Sequence, residues 1–315
     1  MDIADDAKSD DAESDDAESG GAGSAGLDGG AADGKVVVVT GGTRGVGAGV
    51  ARAFAAAGAR VVVCARRPPE APCEGVEFSP VDLRDAAATR AFFESLPRLD
   101  VLVNNAGGSP YRPLATSPAE RHARVIELNL TAPLTASLAA YDRLRRARGS
   151  IVMIGSVSGS RPSPGTAAYG AAKAGLEHLA RSMAVEWAPE VRVNTLVVGM
   201  VRTERSELHY GDEAGIAAVA GTVPLGRLAQ PSDIGRAAVF LASDAAAYIS
   251  GASLLVHGGG ERPAFLAAAT AGNITGEAGR EAAGNTTGEA GREAVVEAAA
   301  GNTDREPDTE WEGLV

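Results

Sequence analysis

The sequence predicts a doubly wound α/β fold, in which a seven-stranded parallel sheet is covered by helices on both faces. Short β-branched runs alternate with longer helical patterns through the middle of the 315-residue chain. The short runs are hydrophobic on both faces, as is usual for strands of a buried parallel sheet. Because crossovers between parallel strands are right-handed, this alternation winds helices onto both faces.

Each predicted element follows from its local pattern. The predicted strands are short and rich in β-branched residues: 36–40, 60–65, 76–81, 100–103, 150–154, 192–198 and 252–256. The predicted helices have longer apolar periodicities: 46–57, 84–96, two stretches within 117–148, 167–187 and 232–241. Ligands of such sheets bind outside the carboxyl ends of the strands, so the residues after each strand are the first candidates for a site.

Acidic, low-complexity segments flank this middle. Residues 1–34 contain eleven acidic side chains and one lysine, and residues 264–315 contain ten acidic side chains and three arginines. The chain has a net charge of −12, so residues 35–263 are slightly basic and an acidic substrate is not disfavoured. Because the flanks have few large apolar residues, we expect disordered tails on a single domain at 35–263. The C-terminal extension is either a solvated tail or a partner-binding one.

Several classes of protein are not expected. Cys64 and Cys73 have the spacing of neither a disulfide framework nor a zinc site, so we expect a reduced compartment and no metal. The acidic N-terminus lacks the basic and apolar parts of a secretory signal. No run of about 18 apolar residues occurs. We therefore expect a cytoplasmic protein with neither a membrane nor a nucleic acid as partner.

A glycine-rich turn follows the first predicted strand. Gly41, Gly45 and Gly47 would form a tight turn, let a pyrophosphate approach the backbone and let the next helix pack closely. The amides around Thr43 and Val46 would lie at a helix N-terminus, which attracts anions. An ordinary glycine-rich turn is the alternative interpretation.

Arginines stand where many NAD-binding folds have an acid. At the end of the second strand this chain has Arg66 instead of a carboxylate that would hold the ribose hydroxyls. Arg44 and Arg66 are placed to form charge-assisted hydrogen bonds with a 2′-phosphate. Two solvated surface arginines are the alternative. The sequence thus favours NADP(H), with NAD(H) as the second choice.

Polar and small residues follow the third and fourth strands. Asp82, before Leu83, is placed to meet the adenine amino group or to cap the next helix, and both roles are compatible. Asn105, Ala106 and Gly107 would let the backbone approach a cofactor, while the amide side chain ties neighbouring loops together. A plain turn is the alternative for this second segment.

Tyr169 and Lys173 form the strongest pair. They lie four residues apart on a predicted helix and hence on one face. An adjacent ammonium is expected to lower the pKa of the phenol, so that Tyr169 can exchange a proton with a substrate oxygen, and Lys173 would also hold a ribose. Ser156 is placed to hydrogen-bond that oxygen. Asn129 would either hold a water in a proton relay or kink its helix.

These residues together resemble the short-chain dehydrogenase/reductase family over roughly 35–263. The resemblance rests on Thr40-Gly41-x-x-x-Gly45-x-Gly47, Asn104-Asn105-Ala106-Gly107, Asn129, Ser156 and Tyr169-x-x-x-Lys173, in the family's order and spacing. It implies a Rossmann-fold catalytic domain, in which hydride passes between a nicotinamide and a carbonyl or alcohol carbon. The implied catalytic tetrad is Asn129, Ser156, Tyr169 and Lys173. It also implies a homo-oligomer, either a dimer or a tetramer.

The family resemblance extends past the sixth strand, with one departure. The family usually has Pro-Gly there, whereas this chain has Val198 before Gly199. The resemblance implies that Gly199, Val201 and Thr203 bind the nicotinamide carboxamide and the phosphates. Residues 204–223 match the family's substrate-covering segment, called the lid below.

Within the lid, Glu207, His209 and Tyr210 are candidates for substrate contact. The group most resembled is the beta-ketoacyl-carrier-protein reductases, which residues 225–234 also resemble. The leading hypothesis is therefore an NADPH-dependent reductase of ketones or 3-oxoacyl thioesters. An NAD(P)+-dependent alcohol or hydroxysteroid dehydrogenase would use the same residues in reverse, and a non-catalytic nucleotide-binding sensor is the third hypothesis.

Overall fold

A computed structural model describes residues 30–261 of the chain. Seven parallel strands form one sheet in the order β3-β2-β1-β4-β5-β6-β7. The strands are β1 (Val36–Thr40), β2 (Arg60–Ala65), β3 (Val76–Pro80), β4 (Val101–Asn104), β5 (Ser150–Ser156), β6 (Arg192–Val198) and β7 (Ser253–Val256). This confirms the predicted doubly wound Rossmann fold. The predicted tails lie outside the described residues, apart from 30–34.

Eight α-helices connect or follow these strands within the described part of the chain. They are α1 (Gly45–Ala56), α2 (Ala86–Ser95), α3 (Ala119–Ile126), α4 (Ala132–Ala147), α5 (Ala167–Glu186), α6 (Glu207–Tyr210), α7 (Glu213–Thr222) and α8 (Pro231–Ala242). One π-helical turn, Glu127–Thr131, joins α3 to α4. The short helices α6 and α7 form the lid and were not predicted from the sequence.

Alternating strand residues build two cores, one on each face of the sheet. In β1, Val38 packs in the core that contains Leu176 of α5. Its neighbour Val37 packs in the opposite core, with Phe54 of α1 and Ile234 of α8. All five of these side chains are fully buried. The hydrophobic effect of both cores therefore holds the strand ends, and the loops after them, in fixed positions.

Most predicted boundaries differ from the observed ones by one or two residues, and the starts of α2 and of the folded domain have a structural reason. Helix α2 begins at Ala86, and the carboxylate of Asp85 caps it by accepting from the amides of Ala87 and Ala88. The prediction that Asp82 caps this helix was therefore wrong. At the N-terminal side, Ala32 is 2% exposed and its amide donates to the carbonyl of residue 57, so packing already begins before residue 35.

Candidate functional site

A cavity of about 300 Å³ lies at the carboxyl ends of the central strands. Its wall combines the ends of β1, β4, β5 and β6 with the start of α1, one face of α5 and the lid. The lining residues are Gly41, Thr43, Arg44, Gly45, Val46, Gly47, Asn105, Ala106, Gly107, Gly108, Ser109, Asn129, Ile154, Gly155, Ser156, Tyr169, Lys173, Val198, Gly199, Val201, Thr203, Glu204, Arg205, His209 and Tyr210. Most of the sequence-predicted residues thus share one cavity.

The turn after β1 has the close backbone packing that its glycines predicted. Gly41 has a φ of +64°, a conformation that non-glycine residues rarely adopt. A Cβ atom on Gly47 would overlap the carbonyl oxygen of Gly41 and the side-chain amide of Asn105. Both positions therefore need glycine, and the turn brings the N-terminus of α1 directly to the cavity.

Thr40 and Asn105 join the turn to the end of β4. The Thr40 hydroxyl accepts from the amides of Asn105 and Ala106, each at 3.0 Å. The Asn105 side chain donates to the carbonyl oxygens of Thr40 and Gly41, also at 3.0 Å. These bonds give Asn105 the loop-tying role that the sequence predicted. Thr40 shares that role, although the sequence marked it only as part of the glycine motif.

At one end of the cavity, Tyr169 and Lys173 lie side by side on α5. The Lys173 Nζ is 5.6 Å from the centre of the Tyr169 ring and donates to the carbonyl oxygen of Ile154 at 2.8 Å. Lys173 is only 4% exposed, and burial lowers its pKa to about 8. Ser156, at the end of β5, lines the same cavity, and its hydroxyl acts to lower the pKa of Tyr169. The predicted trio of polar groups therefore does converge.

The pKa of Tyr169 shifts in the direction opposite to the one predicted. Burial raises the pKa of the phenol above its usual value, and the Ser156 hydroxyl only partly opposes that shift. Burial dominates because removing a phenolate from water costs more than one hydroxyl contact returns. Since Lys173 is itself buried, its ammonium also costs desolvation energy. Tyr169 is thus a protonated acid at neutral pH.

Asn129 holds the neighbouring loop through its side chain. It is fully buried in the π-helical turn, where its amide nitrogen donates to the carbonyl oxygens of Gly108 (3.0 Å) and Val125 (2.9 Å). Its Oδ1 accepts from the Gly108 amide at 3.2 Å. Both amide hydrogens are therefore committed to backbone. The predicted irregularity of the helix is present. A water molecule of the proton relay would have to hydrogen-bond to the second lone pair of the Asn129 Oδ1 or to the Asn129 backbone.

At the other end of the cavity, basic side chains gather around Arg44. Burial lowers the pKa of the Arg44 guanidinium, and the positive charges of Arg205 and Arg66 lower it further. Glu204, the neighbour of Arg205, accepts a hydrogen bond from the Gly45 amide at 2.9 Å through its Oε1. One backbone amide of the turn thus already donates to a carboxylate, as expected for a helix N-terminus that attracts anionic groups.

Three predicted cofactor residues lie outside the cavity wall. Arg66 lies close enough for its positive charge to lower the pKa of Arg44. Asp82 is engaged by Arg84, which donates to its carboxylate from the backbone amide and the guanidinium, at 2.6 Å for the shortest bond. The Leu83 side chain is 5% exposed and packs in a core. For these residues the cofactor-binding role stays a prediction.

The segment after β6 is held in place without the usual proline. Val201 bridges to Ala229, and the neighbouring Arg202 amide donates to the Ala229 carbonyl at 2.8 Å. A Cβ on Gly199 would come within 2.7 Å of His257, so this glycine packs closely. Further along, the buried Ser206 hydroxyl accepts from the Thr203 amide at 2.8 Å. Gly199, Val201 and Thr203 all line the cavity, as expected.

Some lining residues were not predicted. Glu204 and Arg205 follow Thr203 directly, and Ser109 lies on the loop after β4. Their position could have been inferred from the sequence, because both are charged and directly follow a threonine that was expected to contact the cofactor phosphates. In the lid, His209 and Tyr210 line the cavity, whereas Glu207 is exposed and does not.

Residues 30–261 contain no cluster of three or more side chains that could hold a metal ion. In the same range, none of the helices has the length and hydropathy needed to cross a membrane.

The residues present fit a nicotinamide dinucleotide. The glycine turn leaves no side chain between the backbone and a pyrophosphate, and a carboxylate already accepts from one of its amides. Arg44 and Arg205 offer positive charge at this end, while Tyr169 and Lys173 lie at the other end of the same cavity. The cavity thus has the polarity that a molecule with phosphates at one side and a neutral reactive ring at the other requires.

Comparisons with known proteins agree with this geometry. A family model described as enoyl-(acyl carrier protein) reductase matches residues 41–261. An L-fucose dehydrogenase from Oryctolagus cuniculus is 38% identical over 72% of this chain and 85% of its own. A 3-oxoacyl-[acyl-carrier-protein] reductase from Vibrio cholerae is 35% identical over 72% of this chain and 97% of its own.

A solved structure is also similar. The Pseudomonas aeruginosa RhlG/NADP active-site complex has 30% sequence identity and a TM-score of 0.65. The match covers 72% of this chain and 96% of that one.

Proposed function

Because the chain belongs to the short-chain dehydrogenase/reductase family, we propose that it is an NADP(H)-dependent reductase of ketones or 3-oxoacyl thioesters. Its membership makes it an oxidoreductase that acts on alcohol or carbonyl groups. The observation that carries the proposal is that one cavity is lined by the half-buried Tyr169 with Ser156 and Lys173 on one side and by Arg44 and Arg205 on the other. This arrangement supports a ligand that meets a proton donor at one end and binds through its phosphates at the other.

The proposed mechanism assigns one role to each group at the Tyr169 end. A nicotinamide bound in this cavity would supply the hydride for reduction or accept it in oxidation. Ser156 donates a hydrogen bond to the substrate oxygen and orients it toward Tyr169. Tyr169 gives its phenolic proton to that oxygen as negative charge develops during reduction. Lys173 holds the nicotinamide ribose, and its ammonium stabilises the phenolate that remains.

The electrostatics favour reduction over oxidation at neutral pH. Burial raises the pKa of Tyr169, so the phenol carries the proton that reduction consumes. Oxidation of an alcohol needs the opposite, a phenolate that accepts the proton. Asn129 supports either direction because its side chain fixes Gly108 beside the cavity.

The NADP(H) preference is supported by the charge at the other end. Arg44 is partly buried and lies near Arg66 and Arg205, whereas a carboxylate at the end of β2 would be expected for NAD(H). The similarity to the RhlG/NADP complex is consistent with this preference.

A dehydrogenase of polyhydroxylated substrates is the second candidate. Ser109, His209 and Tyr210 place polar groups around the cavity, which suits hydrogen bonding to several hydroxyl groups. The similarity to L-fucose dehydrogenase points the same way. Such an enzyme would use the same proton-transfer groups in reverse.

A cofactor-oxidation panel separates these candidates. Purified protein would be incubated with NADPH or NADH and acetoacetyl thioesters, diketones, quinones or cyclic ketones, and with NADP+ or NAD+ and sugars or secondary alcohols. We expect faster oxidation of NADPH than of NADH with a ketone or a 3-oxoacyl thioester. Preferential use of NADH would contradict the cofactor assignment, and turnover only with sugars would favour the second candidate.

We propose that the chain assembles as a homo-oligomer, either a dimer or a tetramer. Apolar side chains are exposed on the edge strand β7, where Leu255 is 57% exposed, and on helices, where Leu138 is 59% and Val185 80% exposed. Burial against a second copy would cover these groups. Light scattering during size-exclusion chromatography would show a multimer, and a monomer at micromolar concentration would contradict the proposal. A cytoplasmic location stays a prediction.

A further inference from the structure

Arg205 is a cavity-lining cation that the proposed mechanism does not use. It is partly buried and belongs to the lid, in a compact turn that starts at Thr203. Within residues 30–261, the guanidinium groups of Arg205 and Arg44 form no hydrogen bond, although the Glu204 and Glu70 carboxylates raise the pKa of Arg44. Two guanidinium groups therefore line one cavity without a hydrogen-bonded protein partner.

This arrangement has an energetic cost that an anion would remove. Burial lowers the pKa of Arg44 most, the charge of Arg205 lowers it further, and the carboxylate of Glu204 raises it by less than Arg205 lowers it, so the repulsion between the two cations is only partly offset. Like charges brought together in a partly buried site are unfavourable unless a counter-charge joins them. A phosphate suits this role because guanidinium groups bind it with paired, charge-assisted hydrogen bonds.

The local hydrogen bonds fix where Arg205 stands. The Ser206 hydroxyl accepts from the Thr203 amide at 2.8 Å, and the Arg205 amide donates to the Thr203 hydroxyl at 3.3 Å. Between them, Glu204 reaches the Gly45 amide at 2.9 Å. The beginning of the lid is thus attached to the N-terminus of α1, and Arg205 is brought to the Arg44 end of the cavity.

We propose that Arg205 binds the 2′-phosphate of NADP(H) together with Arg44, and that this contact couples the position of the lid to the identity of the cofactor. The proposal rests on the NADP(H) preference proposed above and adds a specificity residue from a different element. NAD(H) lacks the 2′-phosphate and would leave Arg205 unengaged. Because His209 and Tyr210 line the cavity from the same lid, the 2′-phosphate also influences how the lid meets the substrate.

Glu204 opposes this contact. Its carboxylate brings negative charge to the turn that would receive the cofactor phosphates. Glu204→Gln keeps an oxygen that can accept from Gly45 and removes the charge. We expect this variant to bind NADP+ about twofold to fivefold more tightly than the wild type. Weaker or unchanged binding would contradict the opposing role.

Calorimetric titration of the full chain with NADP+, NAD+ and adenosine 2′,5′-bisphosphate tests the proposal. Arg205→Gln should weaken NADP+ and the bisphosphate about tenfold and NAD+ less than about twofold, because one charged hydrogen-bonding partner of the phosphate is lost. The control is Arg202→Gln on the same loop, where Arg202 is exposed, pairs with Glu213 at 2.6 Å and does not line the cavity. This control should bind all three ligands as the wild type does.

Hydrogen exchange gives a second readout that does not depend on turnover. Saturating NADP+ should slow amide exchange in residues 203–222 of the wild type more than saturating NAD+ does, and Arg205→Gln should remove the difference. Equal slowing by both cofactors would overturn the coupling.

The outcomes distinguish this proposal from the proposed function. A wild type that binds NADP+ no better than NAD+ would refute the NADP(H) preference itself. If Arg44→Gln loses the preference while Arg205→Gln keeps it, only the role of Arg205 is refuted. Equal weakening of NADP+ and NAD+ by Arg205→Gln would also refute it, because the contact would then be with a group that both cofactors share.

Discussion

The two ends of the cavity differ in how their charged groups are held. At the Tyr169 end, Lys173 is 4% exposed and donates to a backbone carbonyl at 2.8 Å. At the Arg44 end, Arg44 and Arg205 are only partly buried, and within the described residues their guanidinium groups have no hydrogen-bonding partner. The first end is organised by the fold itself, whereas the second has charge left to bind a ligand.

This difference separates catalysis from cofactor selection. The groups that would contact the substrate oxygen, Ser156 and Tyr169, are preorganised by the fold, so altering them should change turnover with little effect on cofactor affinity. Altering the guanidinium groups of Arg44 and Arg205 should instead change cofactor affinity with little effect on turnover. Substitutions at the two ends therefore test this separation.

Replacement of Ser156 tests the preorganised end. Ser156→Ala removes the hydroxyl that lines the cavity with Tyr169 and that would orient the substrate oxygen. We expect kcat to fall about 100-fold, with the Kd for NADP+ within about twofold of the wild type, because the contact strengthens mainly in the transition state. Steady-state kinetics and calorimetry check the two parts.

Ser160→Ala is the matched control, since Ser160 is exposed and lies outside the cavity. If Ser156→Ala keeps the kcat of the wild type, Ser156 does not orient the substrate oxygen.

Replacement of Arg44 tests the opposite end. Arg44→Gln should weaken NADP+ binding about tenfold and NAD+ binding much less, since a charge-assisted contact with the 2′-phosphate is lost. At saturating NADPH, kcat should stay within about twofold of the wild type. Calorimetry and kinetics at high cofactor concentration measure both quantities. Arg52→Gln on the same helix is the control, because Arg52 is exposed and does not line the cavity.

The pH dependence of reduction tests the role of the Lys173 charge, and we expect the rate to fall about twofold near pH 8. The pKa of Lys173 is lowered to about 8 by burial, so its ammonium is present below that pH and lost above it. The rate of ketone reduction at saturating NADPH should therefore be halved near pH 8 and fall about tenfold per further pH unit. Tyr169 does not titrate there because its pKa lies above the usual value.

Measurement of kcat between pH 6 and pH 10, in buffers of constant ionic strength, provides the profile. A rate that stays constant through pH 9.5 would show that the charge of Lys173 is not needed.

The sheet was predictable because its strands have a strong local signal. β-branched runs such as residues 36–40 and 60–65 have no competing helical pattern. The lid was not predictable in the same way. Helix α7 has only one fully buried residue, Ile216, so its sequence lacks the apolar stripe that indicates a packed helix.

Some residues of the site could be predicted from the sequence and others could not. Gly47 and Asn105 were identified because their roles depend on residue type and on position after a strand. Arg205 was missed because its approach to Arg44 depends on the tertiary attachment of Glu204 to Gly45, about 160 residues earlier in the chain. The direction of the Tyr169 pKa was mispredicted because spacing indicates which charge is near but not how deeply the phenol is buried.

If Tyr169 is the proton-transferring group, nucleotide binding must be separable from turnover. Tyr169→Phe removes one hydroxyl and keeps the ring, so the test compares its NADP+ affinity by calorimetry with its rate of NADPH oxidation on the best ketone of the panel. We predict a Kd within about twofold of the wild type and a rate reduced about a thousandfold. A variant that binds NADP+ normally and still reduces the ketone at the wild-type rate would contradict the claim.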